Sequence, residues 1–172
     1  MLMPNPSQTL KLGARMSLPT QTLFSVSEVD LVYRNKINPV DRPKVTTSSA
    51  AYDILLQCWD MNKIELLEQF AILLLDRSKN CLGVSYVSTG SVSACIVDPK
   101  VIFATALNAR ASSLILAHNH PSGNLTPSKA DEFLTNKLLQ GGYILDISVV
   151  DHLIVTPRSY YSFSDDGALT PF

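Results

Sequence analysis

An α/β (α+β) domain, a mixed β-sheet flanked by helices, is the fold class that this chain predicts. Three observations predict it. Short apolar runs of strand length, "FAILLLD", "SSLILAHNH" and "ILDISVVDHLIVT", recur from residue 70 onward. Stretches with helical spacing separate them, so a sheet with helices packed on it is the natural closure. The composition is that of an ordinary globular domain, with 46% hydrophobic and 17% charged residues among 172.

The elements follow in order. Residues 1–45 hold five of the ten prolines and little periodicity, and read as an arm or linker. A strand-like piece, Val29 to Tyr33, lies within it, able to pair with its own sheet or a neighbour's. The domain proper is expected over residues 46–172. "TTSSAAYDILLQCWD" opens it as a helix that Ser48 or Ser49 can cap, with Ala51, Ile54, Leu55 and Cys58 on one apolar face. "FAILLLD" has the unbroken apolar run of a strand buried on both faces. "CLGVSYVSTG" and "SVSACIV" read as two further strands of a meander. "DPKVIFATALNARA" is a helix with Asp98 as cap and Pro99 in its first turn, lined by Val101, Ile102, Ala106 and Ala109. "SSLILAHNH" is a strand, and "TPSKADEFLTNKLLQGG" a helix stopped by Gly141-Gly142. "ILDISVVDHLIVT" and "YYSF" complete the sheet.

Several function classes recede at once. A net charge of −1 gives no basic field for nucleic acid or an acidic membrane. The longest clean apolar run, "FAILLL", is far short of the about 20 residues that a membrane helix needs. The amino-terminal stretch has no continuous apolar core of a secretory signal. Cys58, Cys81 and Cys95 are odd in number and form no CxxC, so three buried free thiols in a reducing, cytoplasmic protein are expected. Trp59 is expected in the core.

Chemistry concentrates in Leu116 to Asp131, "LAHNHPSGNLTPSKAD". His118 and His120 lie two apart on a strand and so face the same side. Two imidazoles converging at the end of a rigid apolar strand suit a zinc ion, and a hydrolytic zinc site takes three protein ligands and leaves one position open. Asp131 is the third ligand, returned by the turn that Pro121, Gly123 and Pro127 shape. The spacing of Ser128 and Asp131 is equally that of a helix-capping box. One arrangement can serve both purposes. Asn119 points away from the histidines and is expected to tie down the loop. Ser122 could contact substrate but, beside Gly123, reads first as a turn residue. His152 reads as a core histidine beside Asp151, or else Asp151 or His152 orients the site from behind its ligands.

"HNHPSGNLTPSKAD" matches H-x-H-x(7)-S-x(2)-D, the JAMM signature of MPN-type zinc metalloproteases. The wording "HNHPSG", with "EQFAILLLD", "VSTGSV" and "DHLIV", resembles the RadC family more narrowly, over roughly Ala50 to Gly167. That resemblance implies an MPN/JAB-like, cytidine-deaminase-like architecture and one zinc ion per chain on His118, His120 and Asp131. It implies Ser128 as the oxyanion-stabilising serine. It also implies a glutamate before the first apolar strand that deprotonates the metal-bound water attacking an amide carbonyl. "EQFAILLL" places Glu68 there, with Glu65 as its rival. The implied substrate is a protein or peptide, with specificity from loops at 87–92 and 123–126. The resemblance extends to the zinc domain and not to the helix-hairpin-helix DNA module of longer RadC proteins, so the chain reads as a short form. Two alternatives stand beside hydrolysis: a non-catalytic MPN-fold scaffold, and an accessory protein in DNA repair or mobile-element DNA processing. Oligomeric state stays open.

Overall fold

A computed structural model of the chain describes residues 38–169. The expected strand at Val29 to Tyr33 lies outside them. After a single 3-10 turn, the chain forms α1 (Ser48–Cys58), β1 (Gln69–Leu75), β2 (Cys81–Thr89), α2 (Pro99–Asn108), β3 (Ser113–Asn119), α3 (Lys129–Ile144), β4 (Ser148–Val155) and β5 (Tyr160–Ser162). The sheet order is β2-β1-β3-β4-β5. Only the β3–β4 pair is parallel, so the sheet is mixed as expected. That pair is joined by α3, the crossover that parallel strands require.

β1 and β3 are buried along their whole lengths, which explains their unbroken apolar sequence. One face of the sheet carries Ala71, Leu73, Leu75, Ile115, Ala117 and Leu153 against Ala51, Leu55 and Trp59 of the α1 region. The other carries Phe70, Ile72, Leu74, Leu114 and Leu116 against Ile102, Phe103 and Ala106 of α2 and Leu138 of α3. Strand alternation therefore sends His118 to the α2/α3 side and Asn119 to the α1 side. Among the described residues no helix is long and apolar enough to cross a membrane.

Five expectations need correction, the last at the end of α3. The cap of α1 is Thr47, whose hydroxyl accepts from Ala50 N, while the Ser48 hydroxyl is drawn across to Asp165 and Ser162. Cys58 is exposed, Cys81 buried and Cys95 half-buried, so the three thiols do not share one environment. "SVSACIV" is no strand. Glu68 and the turn after β2 exchange backbone hydrogen bonds (Gly90 N to Glu68 O, Glu68 N to Ser91 O), and Ser91 N then turns back to Ala94 O, leaving Ile96 89% exposed. On α2, Val101 is exposed, and Phe103 takes the buried place expected for it.

The end of α3 is the most instructive difference. The helix runs through Gly141-Gly142 to Ile144 and stops with Asp146 in the left-handed region, φ 56°. Ile147 N donates to Gly142 O, and Asp146 N to Tyr143 O, the hydrogen-bond pair of a Schellman ending. Gly142 permits this return, since a Cβ there would lie 2.4 Å from the Ile147 carbonyl oxygen. Its lack of a side chain serves close approach, not helix termination.

Candidate metal centre

β3 ends at the histidines. His118 is 1% exposed, while His120 sits just beyond the strand and is half-buried. The chain then turns sharply, with Pro121 in second place, Gly123 at φ 76°, and Gly123 N donating to His120 O. This turn and the following extended stretch deliver Ser128 as the N-cap of α3. The capping box is complete: Asp131 N donates to Ser128 Oγ at 3.2 Å, and Ser128 N donates to an Asp131 carboxylate oxygen at 2.7 Å. The capping reading of Ser128 and Asp131 is therefore met, and the same cap turns the Asp131 carboxylate toward the histidines.

His118 Nε2 and His120 Nε2 lie 3.0 Å apart. Asp131 Oδ1 is 3.3 Å from His118 Nε2, and Asp131 Oδ2 is 3.7 Å from His120 Nε2. Among the described residues, His118, His120 and Asp131 form a group able to hold a metal ion. With zinc–ligand bonds of about 2.0–2.1 Å, a tetrahedral site has ligand atoms about 3.3 Å apart. The three separations bracket that value, so the donors fit zinc in both chemistry and spacing.

The electrostatics follow from burial and this crowding. Burial drives the His118 imidazole down to about 4, against the pull of Asp131. His120 is raised, first by its hydrogen bond with Asp131. Burial works to raise Asp131, but His120, His118 and Ser128 outweigh it and hold the carboxyl well below the usual range. At neutral pH the cluster thus offers the Asp131 carboxylate and a neutral His118 imidazole, while Asp131 favours a proton on His120 that a bound cation would have to displace.

Glu68 lies immediately before β1 and lines the same cleft, about 800 Å³ in volume. Burial pushes its carboxyl up, with His120 opposing and Asp131 reinforcing. Glu65 also lines the cleft but is exposed. Glu68 is the glutamate that feels the charges of His120 and Asp131. Asn119 secures its segment, donating from Nδ2 to Ile64 O and Leu67 O and accepting from Gln69 N, as expected of a residue on the opposite face. Cys95 also lines the cleft. Burial pushes its thiol up, which disfavours a thiolate nucleophile. The lining loop is Val92 to Cys95 with Val97, displaced from the expected 87–92 stretch, while Asn124 and Thr126 line it as expected.

Asp151 and His152 part company. His152 is fully buried behind His118, with Nε2 2.9 Å from His118 Nδ1. Asp151 projects to the α1 side, where it accepts from Ser162 Oγ and Ser164 N, and it meets His152 only through the backbone N–H. Its carboxylate does not orient the imidazole. Thr135 does, with Oγ1 2.6 Å from His152 Nδ1, and sequence reasoning missed it. The available signal was its place four residues after Asp131, one helical turn along the same face.

Comparison with known proteins gives the family. Residues 45–168 match the model of the RadC-like JAB domain. A UPF0758 protein of Flavobacterium johnsoniae is 44% identical over 100 residues, 58% of this chain and 44% of the relative. One from Thermotoga maritima is 41% identical over 112 residues, 65% of this chain and 50% of the relative. The UPF0758 protein YkfG of Escherichia coli is 43% identical over 102 residues, 59% and 65% respectively. The chain spans about half the length of the first two relatives. With a family match across the whole sheet and a His-His-Asp cluster at the signature positions, the chain belongs to the RadC-like JAB domain family.

Proposed function

We propose that the chain is a zinc-dependent hydrolase of amide or isopeptide bonds in a protein or peptide substrate. The observation that carries this reading is the triangle of His118 Nε2, His120 Nε2 and Asp131 carboxylate oxygens, with separations of 3.0 to 3.7 Å, opening onto a cleft. A zinc ion bound there supplies Lewis acidity and a water acidified toward neutral pH.

The chain's own groups account for the remaining work. Glu68, raised by burial and facing the ligand cluster, accepts a proton from the attacking water and returns it to the leaving amine. The Ser128 hydroxyl donates to Asp131 in the structure, at 2.6 Å. It lines the cleft and can be redirected to negative charge developing on the carbonyl oxygen. Val92, Phe70 and Leu134 give the cleft apolar wall for substrate side chains.

Elemental analysis of the purified protein beside His120→Ala, Asp131→Ala and Glu68→Gln tests the reading, together with hydrolysis of a panel of peptide and isopeptide substrates. One zinc per chain is expected in wild type and in Glu68→Gln, with loss in both ligand variants. Glu68→Gln should slow any hydrolysis by about 10²–10⁴-fold. No zinc in wild type, even after zinc is supplied, would refute the proposal.

A further inference from the structure

Behind the ligands, a chain of buried hydrogen bonds has a direction fixed at one end. The carbonyl oxygen of Asp131 can only accept, so Thr135 Oγ1, 2.6 Å away, gives its proton to it. Thr135 Oγ1 must then accept from His152 Nδ1, which carries the hydrogen. The neutral His152 ring is left with a lone pair on Nε2, which accepts from His118 Nδ1–H at 2.9 Å. His118 is left with its lone pair on Nε2, the atom facing His120 and Asp131. His152 stacks on Phe163 (4.9 Å, 11°) and packs against Phe70, and it is 0% exposed, so these walls hold the ring in place.

We propose that Thr135 and His152 are positioning residues that lock His118 in the tautomer whose Nε2 lone pair faces the cation. The inference rests on the metal-centre reading above. It adds that affinity depends on a threonine hydroxyl that touches no ligand side chain. The relay also closes a ring. It leaves His118 on β3, crosses β4 at His152, and returns through α3 to the backbone of Asp131, itself a ligand. A hydroxyl at 135 therefore couples the imidazole on the strand to the carboxylate on the helix. Outer-layer hydrogen bonds of this type typically change metal affinity by about 10- to 100-fold.

Two readouts test it. Nitrogen-15 histidine NMR on the metal-free protein reports which ring nitrogen carries the hydrogen. Competition with a chromophoric chelator reports zinc affinity. In wild type, His118 and His152 are both expected as Nδ1–H tautomers. Thr135→Val, nearly isosteric, should lose that assignment at His152 and bind zinc about 10- to 100-fold more weakly. Thr135→Ser, which keeps the hydroxyl, should remain within about threefold of wild type. Wild-type His118 with its hydrogen on Nε2, or unchanged affinity in a folded Thr135→Val, overturns the proposal. If Thr135→Val does not fold, the wild-type spectrum alone still decides it. A wild type that binds no zinc but shows both Nδ1–H tautomers would sink the metal-centre reading and leave the proton order of the relay standing.

Discussion

Replacing Asn119 by alanine removes three hydrogen bonds at a side chain with 0% exposure. Each partner left behind has a different fate. Gln69 N–H, at the buried start of β1, loses its 2.8 Å acceptor and has no route to water, which costs about 1–3 kcal/mol. Ile64 O loses its donor within a residue that is 1% exposed, at about 1–2 kcal/mol. Leu67 O lies on a half-buried residue, where water can replace the amide, so its loss adds little. The sum is about 2–5 kcal/mol, against a typical domain stability of about 5–15 kcal/mol, so the variant should still fold. Urea denaturation measures it. With a slope of about 2.5 kcal/mol per molar, within the usual range, the midpoint should fall by about 1–2 M. Amide exchange of Gln69 N–H should accelerate by at least the same factor as global opening. A loss below about 0.5 kcal/mol would refute the reasoning, because it would mean that the segment carrying Glu68 is held by something other than Asn119.

Two further outcomes are expected. Burial raises the Asp151 carboxyl, so its contribution to stability is fully present below the unfolded value near 3.8 and is lost as pH rises through its folded value. Urea midpoints of wild type and Asp151→Asn should therefore diverge in favour of wild type as pH falls from 7 toward 4, and a pH-independent difference would contradict this. Gly142→Ala should destabilise by about 1–3 kcal/mol despite the better helix propensity of alanine, because its Cβ meets the Ile147 carbonyl oxygen at 2.4 Å. Gly141→Ala meets the edge of the Phe103 ring, which can turn aside, and should cost less. Thermal melts that rank the two in the opposite order would refute the packing argument.

What the sequence made legible was local. Unbroken apolar runs marked β1 and β3, Asp98-Pro99 marked the start of α2, and strand alternation put both histidines on one side and Asn119 on the other. The candidate cluster was legible because His118, His120, Ser128 and Asp131 fall within one turn-linked segment. What stayed hidden depended on contacts across the chain. Whether Asp151 or His152 backs the site depends on which face of β4 meets α3, and the register shift opposite Leu114 and Ile115 sets that face. Thr135 is an unremarkable helical threonine until β4 brings His152 beside it. Gly141-Gly142 carries the composition of a helix stop, yet it is the close return of Ile147 that requires the second glycine. The alternation in "SVSACIV" gives way to the pairing of Glu68 with Gly90 and Ser91, which bends the chain out of the sheet.

The nesting of a contiguous ligand segment within a scattered support has an evolutionary consequence. His118, His120 and Asp131 lie in one short block, while Thr135, His152 and Phe163 lie beyond it, on α3, on β4 and just past β5, and can vary independently of it. A descendant could thus retain every letter of the signature after losing the groups that aim it. Chemical extinction would then precede any visible erosion of the motif. If the proposed relay aims the site, the threonine one helical turn past the aspartate and the histidine on the following parallel strand are the positions at which a silent centre would first show.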